Sequence, residues 1–313
     1  MDRRHLILCL AFLLAPAPAL AQVAQYAKPD REQFLAQGAK KEGELMLYTS
    51  LVPEDLTALG AAFERKYGVK LKSWRANSEK VLQRALTEAR AGRHEADAVE
   101  TNGPQLEALY REKGLQPLAS PHLGQLMPQA LRPHGHWVGT RINMFVQSYN
   151  TRLVKPEELP KSYAELAHPR WKGRLGIEAE DEDWFAMIVK DLGEQAGLKI
   201  FRDIVRTSGL SVRKGHTLLA GLVASGEIPL ALTTYSHGAE KMKQRGAPVE
   251  WFAIAPAIGR ANGIGIVARP PHPHAAVVRR CRCRWRARWP ARSRTTPPAR
   301  RAASSFRRRG CRW

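Results

Sequence analysis

The residues best able to hold a charged or polar solute fall into a few short clusters. Glu178, Glu180, Asp181, Glu182 and Asp183 crowd into six residues directly after a short apolar run. Five carboxylates so close together are hard to keep charged unless they are solvated or bound to a cation. A hard cation such as iron(III) is one reading, since it prefers oxygen donors. A solvated helix start favoured by the helix dipole is the other. Trp184, next in the chain, either walls a cleft or packs inside. Tyr235 and His237 follow the apolar run IPLALTT, so Tyr235 places one phenol oxygen at a strand end. Lys214-Gly215-His216-Thr217 reads as a turn into a helix, where backbone amides and the lysine suit an anion.

Further candidates sit at other strand ends. Thr49 and Ser50 offer hydroxyls to a polar ligand or simply cap the next helix. Arg75 could grip a carboxylate or phosphate in bidentate fashion; Asn77 lies beside it, and Ser78 reads as a helix cap. Thr101 and Asn102 repeat the pattern after a third strand, and Arg141 either joins the cleft or pairs with a surface acid. His134 and His136 lie in a proline-bearing loop, a two-histidine metal site or plain loop. No GxSxG, HExxH or phosphate-loop motif occurs in residues 22–278. Tyr235 with Glu180 is the one nucleophile–base pair that can be named, which keeps an enzyme as an alternative class.

These residues need elements to position them. A capped helix is expected over 30–41 with Asp30 as its N-cap, then a strand at 44–50, a helix at 53–68 opened by Pro53 and stopped by Gly68, a strand at 69–74, a helix from Ser78 to about Ala91, a strand at 96–100 and a helix opening at Pro104. This βαβαβα order is that of a parallel sheet with helices on its faces. A second α/β unit follows. It has strands expected at 142–150, 174–178, 228–235 and 263–268, helices near 183–192, 197–208 and 217–226, and an extended run over 249–258. Extended crossovers near 144–150 and 255–262 would join two lobes, the last strand returning to the first. Ligands of open α/β sheets bind beyond the carboxyl ends of the strands, which puts this one in the cleft between lobes.

Composition narrows the classes. Hydrophobic residues make up 44% and charged residues 25%, a globular balance. The net charge of +21 invites a nucleic-acid reading. Residues 279–313 alone hold fourteen arginines and no acid, however, and the stretch 22–278 carries only about +6, ordinary for a soluble protein. That arginine-rich end has no helical or strand period and cannot bury a core. It reads as a basic arm for nucleic acid or an anionic surface, or as the composition of a GC-rich gene translated out of frame. The N-terminus has Arg3 and Arg4, an apolar run from Leu6 to Leu14 and Ala19-Leu20-Ala21, the pattern of an export signal cleaved after Ala21. The four cysteines, Cys9, Cys281, Cys283 and Cys311, all fall outside 22–278, which excludes a thiolate metal site or a cysteine nucleophile in the body.

Taken in order, LMLYTS with AAFERKYGVKL, SEKVLQRALTEARAGRHEADAVET, FVQSYNTRLV, HPRWKGRLGIE and LVASGEIPLALTTY resemble the extracellular solute-binding proteins of ABC importers, in their ferric-iron-type branch, from about 41 to 275. The resemblance implies an α/β, two-lobe periplasmic-binding-protein-like (type II) fold with hinge strands and a ligand cleft between lobes. Its expected parts are a signal peptide over 1–21, the first lobe over 22–145, the second over 146–258, a return to the first over 259–278 and a basic tail over 279–313. It implies a protein without enzymatic activity that delivers a small solute to an inner-membrane permease; with the export signal, a periplasmic monomer without cofactor or nucleic-acid partner is expected. The cargo is expected to be iron(III), alone or with an anion, or a small organic anion. Tyr235 resembles the branch's iron-binding tyrosine. The family arrangement has two adjacent tyrosines, whereas this chain has Thr234-Tyr235-Ser236, and the pattern breaks after Val278.

Overall fold

The computed structural model describes residues 23–278. The export signal expected over 1–21 and the basic tail expected over 279–313 lie outside the described residues. The first unit begins with helix α1 (Arg31–Glu42), closed by Gly43 in the left-handed region at φ 77°. Strand β1 (Glu44–Thr49) follows, its last three residues fully buried, as suits a parallel strand covered on both faces. Helix α2 (Pro53–Tyr67) has proline at its start, Glu54 and Asp55 in its first turn and Arg65 and Lys66 in its last, so its charges complement the helix dipole. Strand β2 (Lys70–Arg75), helix α3 (Ser78–Arg90), strand β3 (Ala98–Asn102) and helix α4 (Gly103–Arg111) complete the unit. Asn77, not Ser78, caps α3: its side chain accepts from the Lys80 N–H. Asp30 stands at the N-cap of α1 without a capping bond, its carboxylate taking the Tyr26 hydroxyl instead.

One strand organises the rest. β4 (Trp137–Asn150) is fourteen residues long. Its first part, Trp137 to Met144, pairs with β9 (Gly259–Ile266), and β9 in turn pairs antiparallel with β3. Its second part, Phe145 to Asn150, pairs with β7 (Leu230–Tyr235) and β8 (Val249–Phe252). β5 (Leu175–Glu178) and β6 (Ser211–Arg213) extend that side in parallel. The sheet order is β2-β1-β3-β9-β4-β7-β5-β6, with β8 attached to β4. Two lobes thus share the strands that run between them, the hinge geometry of a two-lobe fold. A bulge between Gly139 and Arg141 re-aims β4 next to the crossing. At Gly263 a Cβ would lie 2.5 Å from both the Trp137 ring and the Val138 carbonyl, so only glycine lets β9 pass under that ring.

The second lobe adds helices α5 (Glu182–Leu192), α6 (Glu194–Thr207), α7 (His216–Ser225) and α8 (Ser236–Gln244). A short α9 (Pro273–Val277) returns to pack on α1. Separate apolar clusters fill the lobes. Tyr48, Val99, Leu106 and Trp137 lie under one face of the first lobe's sheet, and Leu35, Phe63, Val69 and Ala275 under the other. Phe145, Tyr163, Trp171, Trp184, Phe201 and Ile204 form the core of the second. Among the described residues, no helix is long and apolar enough to cross a membrane.

The structure departs from the sequence expectations in the polar stretches. β4 begins at Trp137 rather than 142 and β9 at Gly259 rather than 263, because each recruits the other's polar residues by backbone pairing. The helix at Ser236–Gln244 has too few apolar residues to announce itself. It is held through Ala239, which is fully buried, and Met242.

Candidate functional site

The ends of β5 and β7 and the start of α7 bring an acidic cluster of the second lobe against the crossing strands. At its centre stands Arg260, the first polar residue of β9 and only 5% exposed. Its Nε donates to Asp183 Oδ2 at 2.8 Å, and Nη2 also contacts the other oxygen of that carboxylate. Nη2 lies 3.0 Å from Asp181 Oδ1, and Nη1 donates to the Tyr235 hydroxyl oxygen at 2.9 Å. The guanidinium rests on the Phe145 ring, 4.7 Å from its centre. Burial opposes the charge of Arg260, but the hydrogen bond to Asp183 and the charges of Asp181 and Asp183 outweigh it and raise its pKa above the ordinary value. Burial likewise pushes the Tyr235 phenol up to about 12, against the pull of Arg260. At neutral pH the phenol is therefore protonated, and a metal bound there must displace the proton.

Beside Arg260 lie Glu178, Asp181 and His216, each offering one ligand atom within 4.8 Å of the others. Glu178 Oε1 accepts the Gly215 N–H at 2.8 Å and Oε2 the Glu180 N–H at 2.6 Å. Burial raises the Glu178 carboxyl above the usual range, Asp181 adds to this, and His216 works against it. His216 Nε2 is 3.2 Å from Asp181 Oδ1, and the imidazole lies tilted against Tyr235 with ring centres 3.8 Å apart. The turn expected to cradle a foreign anion thus holds the chain's own Glu178. Lys214 pairs with Glu180 Oε1 at 2.7 Å.

Contacts from the first lobe reach the same place. Asn77 Nδ2 donates to Glu180 Oε1 at 3.2 Å while its oxygen caps α3. Farther out, Lys241 of α8 lies 3.4 Å from Glu54 and 3.3 Å from Asp55, and Arg245 also pairs with Glu54. Within the first lobe, Thr49 Oγ1 donates to Glu100 Oε2 at 2.7 Å and accepts the Leu51 N–H. Thr101 donates to Ser50 at 3.2 Å. Arg141 lies 3.6 Å from Glu100 Oε1.

Of the residues singled out from sequence, Glu178, Glu180, Asp183, Lys214, His216, Tyr235 and Asn77 come together at the seam. Thr49, Ser50, Thr101 and Arg141 gather around Glu100 on the first-lobe side. Arg75 is exposed and donates to the Leu51 carbonyl at 2.6 Å. Asn102 stands at the N-cap of α4 without a capping bond. Trp184, 1% exposed, packs edge-on against Phe201 inside the second lobe and walls no cleft. His134 leans on Glu107 and stacks on Tyr110, away from the seam. Sequence reasoning missed Arg260, Glu100 and Asn143, whose amide donates to Asn262 at 2.7 Å. Arg260 had a signal: it is the sole charged residue between Glu250 and Arg269.

A sequence profile of the family described as bacterial extracellular solute-binding protein matches residues 102–254. The chain is 29% identical over 265 residues to "Iron uptake protein A1" of Synechocystis sp., covering 78% of this chain and 71% of that protein. It is 25% identical over 213 residues to the "Fe(3+)-binding periplasmic protein" of Serratia marcescens, covering 67% of this chain and 62% of that protein, so it spans less than two thirds of the latter. Among solved structures it resembles the periplasmic binding protein AfuA of Actinobacillus pleuropneumoniae with fructose-6-phosphate bound. The TM-score is 0.68 at 20% identity, over 76% of this chain and 78% of that one, a likeness of fold.

Proposed function

We propose that this chain belongs to the bacterial extracellular solute-binding proteins, is the periplasmic substrate-binding component of an ABC importer, and works by closing two lobes on a small solute. It acts as a monomer that captures and hands its cargo to an inner-membrane permease, without chemical turnover. A solute that touches both lobes favours the joined arrangement, and only that differential affinity moves the equilibrium. The expected lobe boundaries, 22–145 with 259–278 against 146–258, serve as the two moving bodies.

The observation that carries this reading is the meeting of Arg260 with Tyr235 and Asp183 where the crossing strand β9 enters the second lobe. Any change in lobe angle must alter those contacts, so a ligand placed there is sensed by the hinge. The leading cargo is iron(III), alone or with an anion. Two relatives are named for iron, and the Tyr235 phenol stands among carboxylate oxygens of the kind a hard cation prefers. Arg260 favours a second reading. A guanidinium 2.9 Å from the phenol oxygen opposes a trivalent ion and suits the carboxylate or phosphate of a small organic anion.

Titration with iron(III) citrate, followed by visible absorption on folded protein, separates these readings. A tyrosinate-to-iron charge-transfer band lost in Tyr235→Phe supports iron. No band, together with a thermal shift by organic anions that depends on Arg260, supports the anion. Neither response would overturn both.

A further inference from the structure

The acidic cluster divides into a balanced part and a surplus. Lys214 pairs with Glu180 and Arg260 with Asp183. Four carboxylates thus meet two cations, and the two buried ones, Glu178 and Asp181, share only the His216 imidazole and one edge of Arg260, whose Nη2 is 3.0 Å from Asp181 Oδ1. Asp181 is 4% exposed, and neither of its oxygens has a hydrogen-bond partner of proper geometry. Oδ1 has Arg260 and His216 at ion-pair distance; Oδ2 has no partner of either kind among the described residues. A buried carboxylate oxygen left so costs free energy until a cation, a proton or a water satisfies it. The imidazole is oriented for one. His216 Nδ1 lies 3.3 Å from the Thr233 carbonyl, and a proton on Nδ1 given to that carbonyl turns the Nε2 lone pair toward Asp181. Metal-bound histidines are held in this way by their second nitrogen.

We propose that Glu178, Asp181 and His216 form a metal site of the second lobe for one divalent first-row transition ion. Two carboxylates and a neutral imidazole neutralise a charge of +2 and supply the mixed oxygen–nitrogen set such ions accept. Backbone N–H groups of Gly215 and Glu180 orient the Glu178 carboxylate from outside. All three ligands lie in one lobe, at the end of β5, before α5 and at the start of α7. The site therefore needs no closure, and the Tyr235 phenol is not among its ligands. It deepens the cation reading of the cluster without resting on iron(III) as cargo.

The test is a titration of the full chain with Co²⁺ and Zn²⁺, after alkylation of its cysteines, by calorimetry and by the visible d–d bands of Co²⁺. One ion per chain is expected. His216→Gln and the isosteric Asp181→Asn should each weaken it at least about tenfold, the lower end of what losing even an outer partner costs a metal site. His134→Gln should leave it unchanged, because His134 lies on Glu107 and Tyr110 away from the seam. Circular dichroism of each variant checks that it is folded. Absence of saturable binding by folded wild-type protein overturns the proposal, as does equal binding by folded His216→Gln. Loss of binding in folded His134→Gln also overturns it, by moving the metal to the loop histidine, and leaves the iron(III) reading standing.

Discussion

Met144 and Phe145 are neighbours in one strand and belong to different halves of the sheet: Met144 pairs with Gly259, Phe145 with Tyr235. The hand-over between lobes takes one residue. Arg260 lies directly after Gly259, so the backbone that changes partner also carries the side chain that ties Tyr235 to Asp183. The crossing strands and the candidate site share one stretch of backbone here.

Arg260→Met should be strongly destabilising. Removing one partner of a buried ion pair leaves the other uncompensated, at roughly 3–5 kcal/mol. Asp181 and Asp183 would be left facing each other without their cation. Thermal denaturation should show a large fall in Tm; a change within error would mean that water reaches the cluster freely.

Tyr235→Phe keeps the ring against His216 and removes only the oxygen. If that oxygen binds the cargo, affinity should fall at least about tenfold, near 1.4 kcal/mol. Equal affinity in wild type and variant, measured by equilibrium dialysis, would take Tyr235 out of the site.

Trp184→Ala should cost about 3–5 kcal/mol, the range for emptying a buried tryptophan position, because Trp184 is enclosed by Tyr163 and Phe201. Chemical denaturation measures it. Ligand affinity of the folded fraction should hold, since the ring faces the core. A specific loss of binding at unchanged stability would return Trp184 to the cleft.

The contact of α8 with the start of α2 should respond to pH and salt. The hydrogen bond and charge of Arg245, then those of Lys241, hold the Glu54 carboxyl below its ordinary range. Its pKa is thus lower with the lobes joined than apart. Ionised Glu54 favours the joined form fully above the ordinary carboxylate range, and the advantage is lost as pH falls through the depressed value. These groups are exposed, so the effect is small and screened by salt. Small-angle scattering of Lys241→Glu with Arg245→Glu should show a larger mean radius than wild type at low salt. Identical curves would mean that the contact contributes nothing to closure.

Much of the fold is legible in the sequence because its first half uses strong local signals. Pro53 with Glu54 and Asp55, then Gly68, bracket a helix by dipole and cap alone, and LMLYT is apolar throughout because both faces of β1 are covered. The second half is legible where strands are buried, as in LALTT, and opaque where pairing recruits polar residues, as in Gly139-Thr140-Arg141. The site divides in the same way. Acids after β5 and the tyrosine after β7 stand at strand ends, where position hints at role. Arg260 and Asn143 sit within the crossing strands, and what they touch follows from long-range register that no local pattern encodes. Asn77 reads as a strand-end candidate; its reach to Glu180 depends on the other lobe.

The pairing of β3 with β9 sets an order on synthesis. Val99 finds Gly265 only after the whole second lobe has left the ribosome. Asp97, whose carboxylate takes the His272 N–H and approaches its ring, waits longer still. The second lobe can therefore be complete while the lobe that begins the chain still lacks a strand. A nascent or truncated chain ending before Gly259 would expose the open edge of β3, where another chain's strand could add.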